Sequence, residues 1–176
     1  GNFWTISEAL ENVDPLVLRY TLINAPYRQP VDFNQVMIDD SESHHNRLVT
    51  CYGEGLSKHG SGEWGGFPEL VDAAKRLEEG MNDDFNTRVA LVEVQAVAKW
   101  LRGILDSGRS DEEIAGAVGW ISEFAGDVLG LLPNNEEVLA RMESHESMKD
   151  QVTPKVVSLL AERESARKAK DWGRAD

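Results

Sequence analysis

Two adjacent carboxylates, Asp83 and Asp84, stand in the run Met81-Asn82-Asp83-Asp84-Phe85-Asn86-Thr87. Paired acids of this kind can do general acid–base work or hold a divalent cation. No histidine stands beside them, so the pair is read as the acidic start of a helix, where it complements the helix dipole, and a catalytic dyad is rejected. Asn86 or Thr87 is placed to cap that helix. His44 and His45 adjoin on a helix with no second ligand one turn on, and His44 falls on the apolar face with Met37, Leu48 and Cys51, so it is expected to be packed. Cys51, the single cysteine, shares that face, has no disulfide partner in the chain and reads as packing.

The cations are more suggestive. Arg163, Arg167, Lys170 and Arg174 recur at i, i+4, i+7 and i+11 on one side of a helix, with Lys168 beside them, and form the basic cluster of the chain. Phosphate contact is expected there first, weighed against a solvated charged face that interleaves Glu162, Glu164 and Asp171. Arg28 lies between Pro26 and Pro30 in a short extended segment, where a loop guanidinium is free to fork onto phosphate. Its neighbour Tyr27 is expected to pack. Asp14 is read as a helix N-cap and Arg19 as a brace against a neighbouring helix or domain.

The elements that must position these groups are helical throughout. Thr5-Ile6-Ser7-Glu8 has the form of a capping box, and Asp14-Pro15 is an N-cap followed by a first-turn proline. Asn34 is placed to cap a long third helix reaching about Leu56, with Phe33 and Ile38 as a hydrophobic staple. Six glycines follow between Gly53 and Gly66, and 59–66 are expected to form a mobile loop with Trp64 as its anchor. Helical period returns from Pro68 to Met81 and again through Ala90, Val94, Val97, Leu101 and Ile104, two helices expected to pack antiparallel. Ser110-Asp111-Glu112-Glu113 reads as a second capping box before the stripe Ile114, Ala117, Val118, Ile121, Phe124, Ala125, Val128. Asn134 is placed to cap a short helix through Met142, and Thr153-Pro154 to start the last one. Strict alternation is absent, so the expected class is all-α, an antiparallel helical bundle with a short helical N-terminal connector.

With 31 acids and 18 bases, the formal charge is −13 over 176 residues, an awkward balance for a nucleic-acid binder. The excess is uneven: residues 106–150 carry −8 and residues 151–176 carry +2. Acids combined with 11 Arg against 7 Lys are the balance a high-salt cytoplasm would favour. No secretory signal or membrane-spanning apolar run is read in the sequence, and the expected location is cytoplasmic.

Four ordered segments resemble the C-terminal part of the cysteinyl-tRNA synthetases, class I aminoacyl-tRNA synthetases. Gly1-Asn2-Phe3-Trp4-Thr5 is similar to the residues after that family's Lys-Met-Ser-Lys-Ser loop. Asp14-Pro15-Leu16-Val17-Leu18-Arg19-Tyr20 and Tyr27-Arg28-Gln29-Pro30-Val31-Asp32-Phe33 resemble the opening of its DALR anticodon-binding domain. Met81 to Thr87 is similar to its Met-Asp-Asp-Asp-Phe-Asn-Thr, and Glu164 to Asp176 to its Ala-Arg-Lys-Ala-Lys-Asp ending. The glycine loop and residues 106–150 match in helical pattern alone. Arg88 stands where the family commonly has proline, a cation near a helix N-terminus that is a further candidate phosphate contact.

The resemblance implies a domain plan: 1–30 as the connector after the signature loop, and 31–176 as the tRNA-binding bundle, stopping before a small terminal anticodon module. It also implies that the chain is a non-catalytic piece of a larger ligase. Cysteine tRNA and the parent's own catalytic domain would be its partners, with no membrane partner. ATP and zinc would belong to that missing domain and no cofactor to this one. The RNA-binding candidates are then Arg28, Arg88, Arg163, Arg167, Lys168, Lys170 and Arg174, and the structural residues Asp14, Arg19, Asp84 and Asn86. Two alternatives remain open: the related ligase that joins cysteine to an amino sugar, and an acidic protein-interaction bundle that binds no RNA.

Overall fold

The computed structural model describes residues 5–31, 33–105 and 107–144; the basic cluster at 163–174 and the helix expected from Thr153-Pro154 lie outside them. The chain divides into two compact units, 1–138 and 139–176. In the second, the described residues 139–144 are helical, and the Ser144 hydroxyl donates to the Ala140 carbonyl at 2.9 Å.

The first unit is all-helical among its described residues, as expected. Local capping chemistry starts most of its helices. Thr5 and Glu8 form a reciprocal capping box on α1, Ile6–Leu10. Asp14 accepts from the Leu16 amide at 2.7 Å to open α2, Pro15–Ile23. Asn34 accepts from Met37 at 3.1 Å to open α3, Gln35–His59. Phe67 precedes α4, Pro68–Asn82, without a side-chain cap, and first-turn proline does that work. Next come α5, Thr87–Ile104, and α6, Asp111–Ile121, which runs on as a π-helical segment, Ser122–Val128. Asn134 accepts from the Glu137 amide at 2.9 Å and caps the turn at 135–138.

Of the second expected capping box, half forms. Ser110 accepts from the Glu113 amide at 3.3 Å, but the Glu113 carboxylate is taken by Arg109 at 2.6 Å. An ion pair outcompetes the return bond to the backbone.

Pairwise contacts fix the helix directions. Arg76 meets Glu93 and Gly80 meets Val89, so α4 and α5 run antiparallel, as expected. Cys51 bonds Ala98 and Glu54 pairs with Arg102, so α3 and α5 are parallel. Gly55 against Val118 and His59 against Asp111 make α6 antiparallel to α3. An up-down-up-down bundle results. Its core takes Leu48 and Tyr52 from α3, Leu70 and Leu77 from α4, Val94 and Leu101 from α5, and Val118, Trp120 and Ile121 from α6. Each such side chain contributes about 1.5–3 kcal/mol of transfer free energy. Tyr20 of α2 joins the same core, so α2 is packed on the bundle.

Two expectations are corrected. The glycine-rich segment is not a free loop: α3 runs past Leu56 to His59, taking Gly53 and Gly55 into its interior, and the remainder is docked on α6. The Gly62 amide donates to the Ala115 carbonyl at 2.9 Å, and Phe67 covers Gly116. Trp64 anchors the segment, its ring 5.6 Å from that of Phe124 and its indole N–H on Glu123 at 2.8 Å. Glycines here supply room for backbone to meet helix, rather than looseness.

The second correction concerns the histidines. His45 is buried and its Nε2–H donates to the Leu131 carbonyl at 2.7 Å, whereas His44 is exposed and lies near-parallel to the Tyr20 ring at 6.3 Å. The buried line of α3 is Ser41, His45, Leu48 and Tyr52. One residue is a 100° rotation on an α-helix, enough to turn His44 out of it.

Candidate nucleic-acid interface

The α4–α5 connection, 83–86, is built from unusual backbone. Asp84 and Phe85 both take the left-handed conformation, with φ of 59° and 52°. Such geometry costs a non-glycine residue about 1–2 kcal/mol, and more for a bulky one. It is held by Phe85 N–H to the Met81 carbonyl and Asn86 N–H to the Gly80 carbonyl, both 3.1 Å. Thr87 adds a tie to α2, its hydroxyl donating to the Ile23 carbonyl at 2.5 Å.

Asn86 occupies the N-cap position of α5, but its side chain makes no capping bond, and Thr87 spends its hydroxyl elsewhere; the capping role expected of either side chain is not realised. Asp84 does not serve the helix start. Its carboxylate takes a fork from Arg28, Nε to Oδ2 at 2.5 Å and Nη2 to Oδ1 at 2.7 Å, and accepts the Tyr27 hydroxyl at 2.7 Å. This corrects two readings: the Arg28 fork is already occupied, and Tyr27, 62% exposed, is an exposed hydrogen-bond donor rather than a packed ring.

The fork and the phenol hydrogen bond hold Asp84 down to about 2, below the usual aspartate range near 3.9. The folded value is the depressed one, so the stability this cluster supplies is present above about pH 4 and lost as pH falls towards 2. Asp84→Asn is therefore expected to flatten the acid limb of a stability-versus-pH profile between pH 4 and 2. An unchanged limb in thermal melts would show that the clasp is not formed in solution.

Around the clasp is a cleft of about 400 Å³ lined by Pro26, Tyr27, Arg28, Asp83, Phe85 and Arg88 among others. Phe85 is 68% exposed. Arg88 is also exposed and, among the described residues, has no ion-pair partner, so it is the free cation of this cleft. Arg19 does brace, lying over the turn at Gly130, where an added Cβ would stand 2.8 Å from Nη1.

Sequence reasoning missed a second cleft. Between α3 and α5 runs a groove of about 520 Å³ walled by His44, Arg47, Lys99 and Arg102, with Cys51 and Ala98 in its floor. No carboxylate lines it; Glu54 reaches Arg102 from its margin. Arg47 follows His44 by three residues and Arg102 follows Lys99 by three, a spacing readable on each helix alone, but the parallel pairing that brings the two rows together is tertiary. The Cys51 thiol is not a nucleophile here: burial pushes it up to about 12, and it donates to the Ala98 carbonyl at 3.2 Å.

Among the described residues no group of three His, Cys, Asp or Glu could hold a metal ion, and no helix is long and apolar enough to cross a membrane. Two charged clefts on a helical bundle are then the surfaces of interest.

The DALR domain family matches residues 76–133, from the second half of α4 through the π-helical segment to Pro133. This part of the bundle is a DALR domain. Along its whole length the chain is similar to proteins named cysteine–tRNA ligase: 34% identical to that of Chlorobaculum tepidum over 99% of the chain, 33% to that of Geobacter sulfurreducens over all of it, and 34% to that of Laribacter hongkongensis, again over all. The chain spans 35%, 38% and 35% of those relatives. It is a DALR-type helical region of the kind cysteine–tRNA ligases carry.

Proposed function

We propose that this chain is the tRNA-binding helical region of a cysteine–tRNA ligase, holding the anticodon stem of cysteine tRNA while chemistry takes place on a separate catalytic domain of the same protein. The observation that carries this is the end-to-end similarity to cysteine–tRNA ligases together with the DALR match. The domain plan follows the same reading, with 1–30 as connector and 31–176 as bundle. ATP and zinc are assigned to the catalytic domain, since the described residues offer no metal-ligating cluster for zinc. Arg88 and the cations at 163–174 remain the proposed RNA contacts outside the groove, positioning the backbone while bases are read elsewhere. A cytoplasmic location follows from that role.

The test is aminoacylation by the full-length protein that carries this chain. Given ATP, cysteine and tRNA, it is expected to form cysteinyl-tRNA, and the 176-residue chain alone to form none. Transfer of cysteine to an amino sugar, with no charging of tRNA, would overturn the reading.

A further inference from the structure

The α3–α5 groove gathers cations in a chain whose formal charge is −13. Its walls carry Arg47 and Lys99, both exposed, and Arg102, whose guanidinium is held by Glu54. Neither Arg47 nor Lys99 has an acidic partner among the described residues; Arg47 Nε donates to the Ser43 carbonyl at 3.2 Å. Two cations left without counter-charges on facing helices, while acids crowd other parts of the chain, make a local well of positive potential. Its occupant is an anion long enough to touch both walls. The end of the groove holds His44, exposed and lying near-parallel to Tyr20, an aromatic surface of the sort on which an unpaired base stacks. Cations beside a stacking ring favour a nucleic acid over an acidic peptide, which would use the charges and leave the ring idle.

We propose that this groove seats the sugar-phosphate backbone of a structured RNA, with Arg47 and Lys99 on successive phosphates and His44 beside a nucleotide base. The proposal rests on the tRNA-binding reading and adds where on the bundle the backbone lies. Arg102 is its positioning residue: paired with Glu54, it shapes the wall and adds little net charge.

The experiment measures binding of cysteine tRNA to the full-length protein across a KCl series, comparing Arg47→Glu, Lys99→Glu and, as an equal charge change on α4, Lys75→Glu. Each groove variant is expected to weaken binding roughly tenfold or more and to lower the slope of log affinity against log salt by about 0.7–0.9, the mark of one lost phosphate contact. Lys75→Glu is expected to keep the wild-type slope, and circular dichroism to show all three folded, since the replaced side chains are exposed. Wild-type binding with the groove variants unaffected overturns the groove and leaves the tRNA reading standing. Absence of any tRNA binding overturns both, and capture of polyglutamate by the groove in place of RNA overturns the choice of occupant.

Discussion

Trp120→Ala is expected to destabilise the bundle by about 3–5 kcal/mol, the range for emptying a large aromatic site in a core. The indole is fully buried, packs at 4.6 Å from the Phe124 ring, and donates its N–H to the Leu70 carbonyl at 3.0 Å. It therefore joins α6 to α4 and supports the ring on which Trp64 rests. Trp120→Phe separates the two contributions: much of the packing is kept and the N–H bond is lost, a step of about 0.5–1.5 kcal/mol added to the lost ring volume. Urea titration with an unchanged m value checks both. A loss under about 1 kcal/mol for the alanine variant would mean that the α4–α6 seam is not packed as described.

Gly119→Ala is expected to act in the opposite direction from the usual helix substitution. On an exposed helix, replacing glycine by alanine stabilises by about 0.8–1 kcal/mol. Gly103, exposed on α5 with nothing within 4 Å of an added Cβ, is the matched site where that gain is expected. At Gly119 the new Cβ would lie 1.9 Å from the Gly62 carbonyl oxygen. Backbone faces backbone, so no rotamer relieves the clash, and the 60–66 segment must lift from α6. That forfeits the Gly62–Ala115 hydrogen bond and strains the Trp64 and Phe67 contacts. A net loss of about 1–3 kcal/mol is expected, with faster amide exchange at Gly62 and altered Trp64 emission. Equal stabilisation at positions 103 and 119 would show the segment undocked.

These two sites also mark where the sequence can be read and where it cannot. Caps at Thr5, Asp14, Asn34, Ser110 and Asn134 were legible because a cap is settled within four residues of chain. The apolar stripes of α4, α5 and α6 were legible for the same reason of period. Glycines were not, because glycine in a docked segment and glycine in a loose one have the same local signature; the difference is made by Gly119, 57 residues away from Gly62 by number. The partner of Asp84 was hidden likewise, since Arg28 is 56 residues distant. A pair of acids before a helix looks like dipole chemistry until the fold brings a guanidinium to it. The α3–α5 groove is the extreme case: each wall is an unremarkable row of polar residues, and the site exists in their pairing alone.

The π-helical stretch at Ser122–Val128 sets a rule for how the chain's length can vary. Wider winding there spends extra residues per turn, visible where Leu129 N–H reaches back five residues to the Phe124 carbonyl at 3.1 Å. Removing one residue from this stretch would regularise the helix and rotate whatever follows by about 100°. Leu129, Leu131 and Val138, all buried, would leave their places, and the Leu131 carbonyl would swing away from His45. A single-residue gap at this point is therefore a change of angle as much as of length, and the fold reads residues 122–128 as a phase setting.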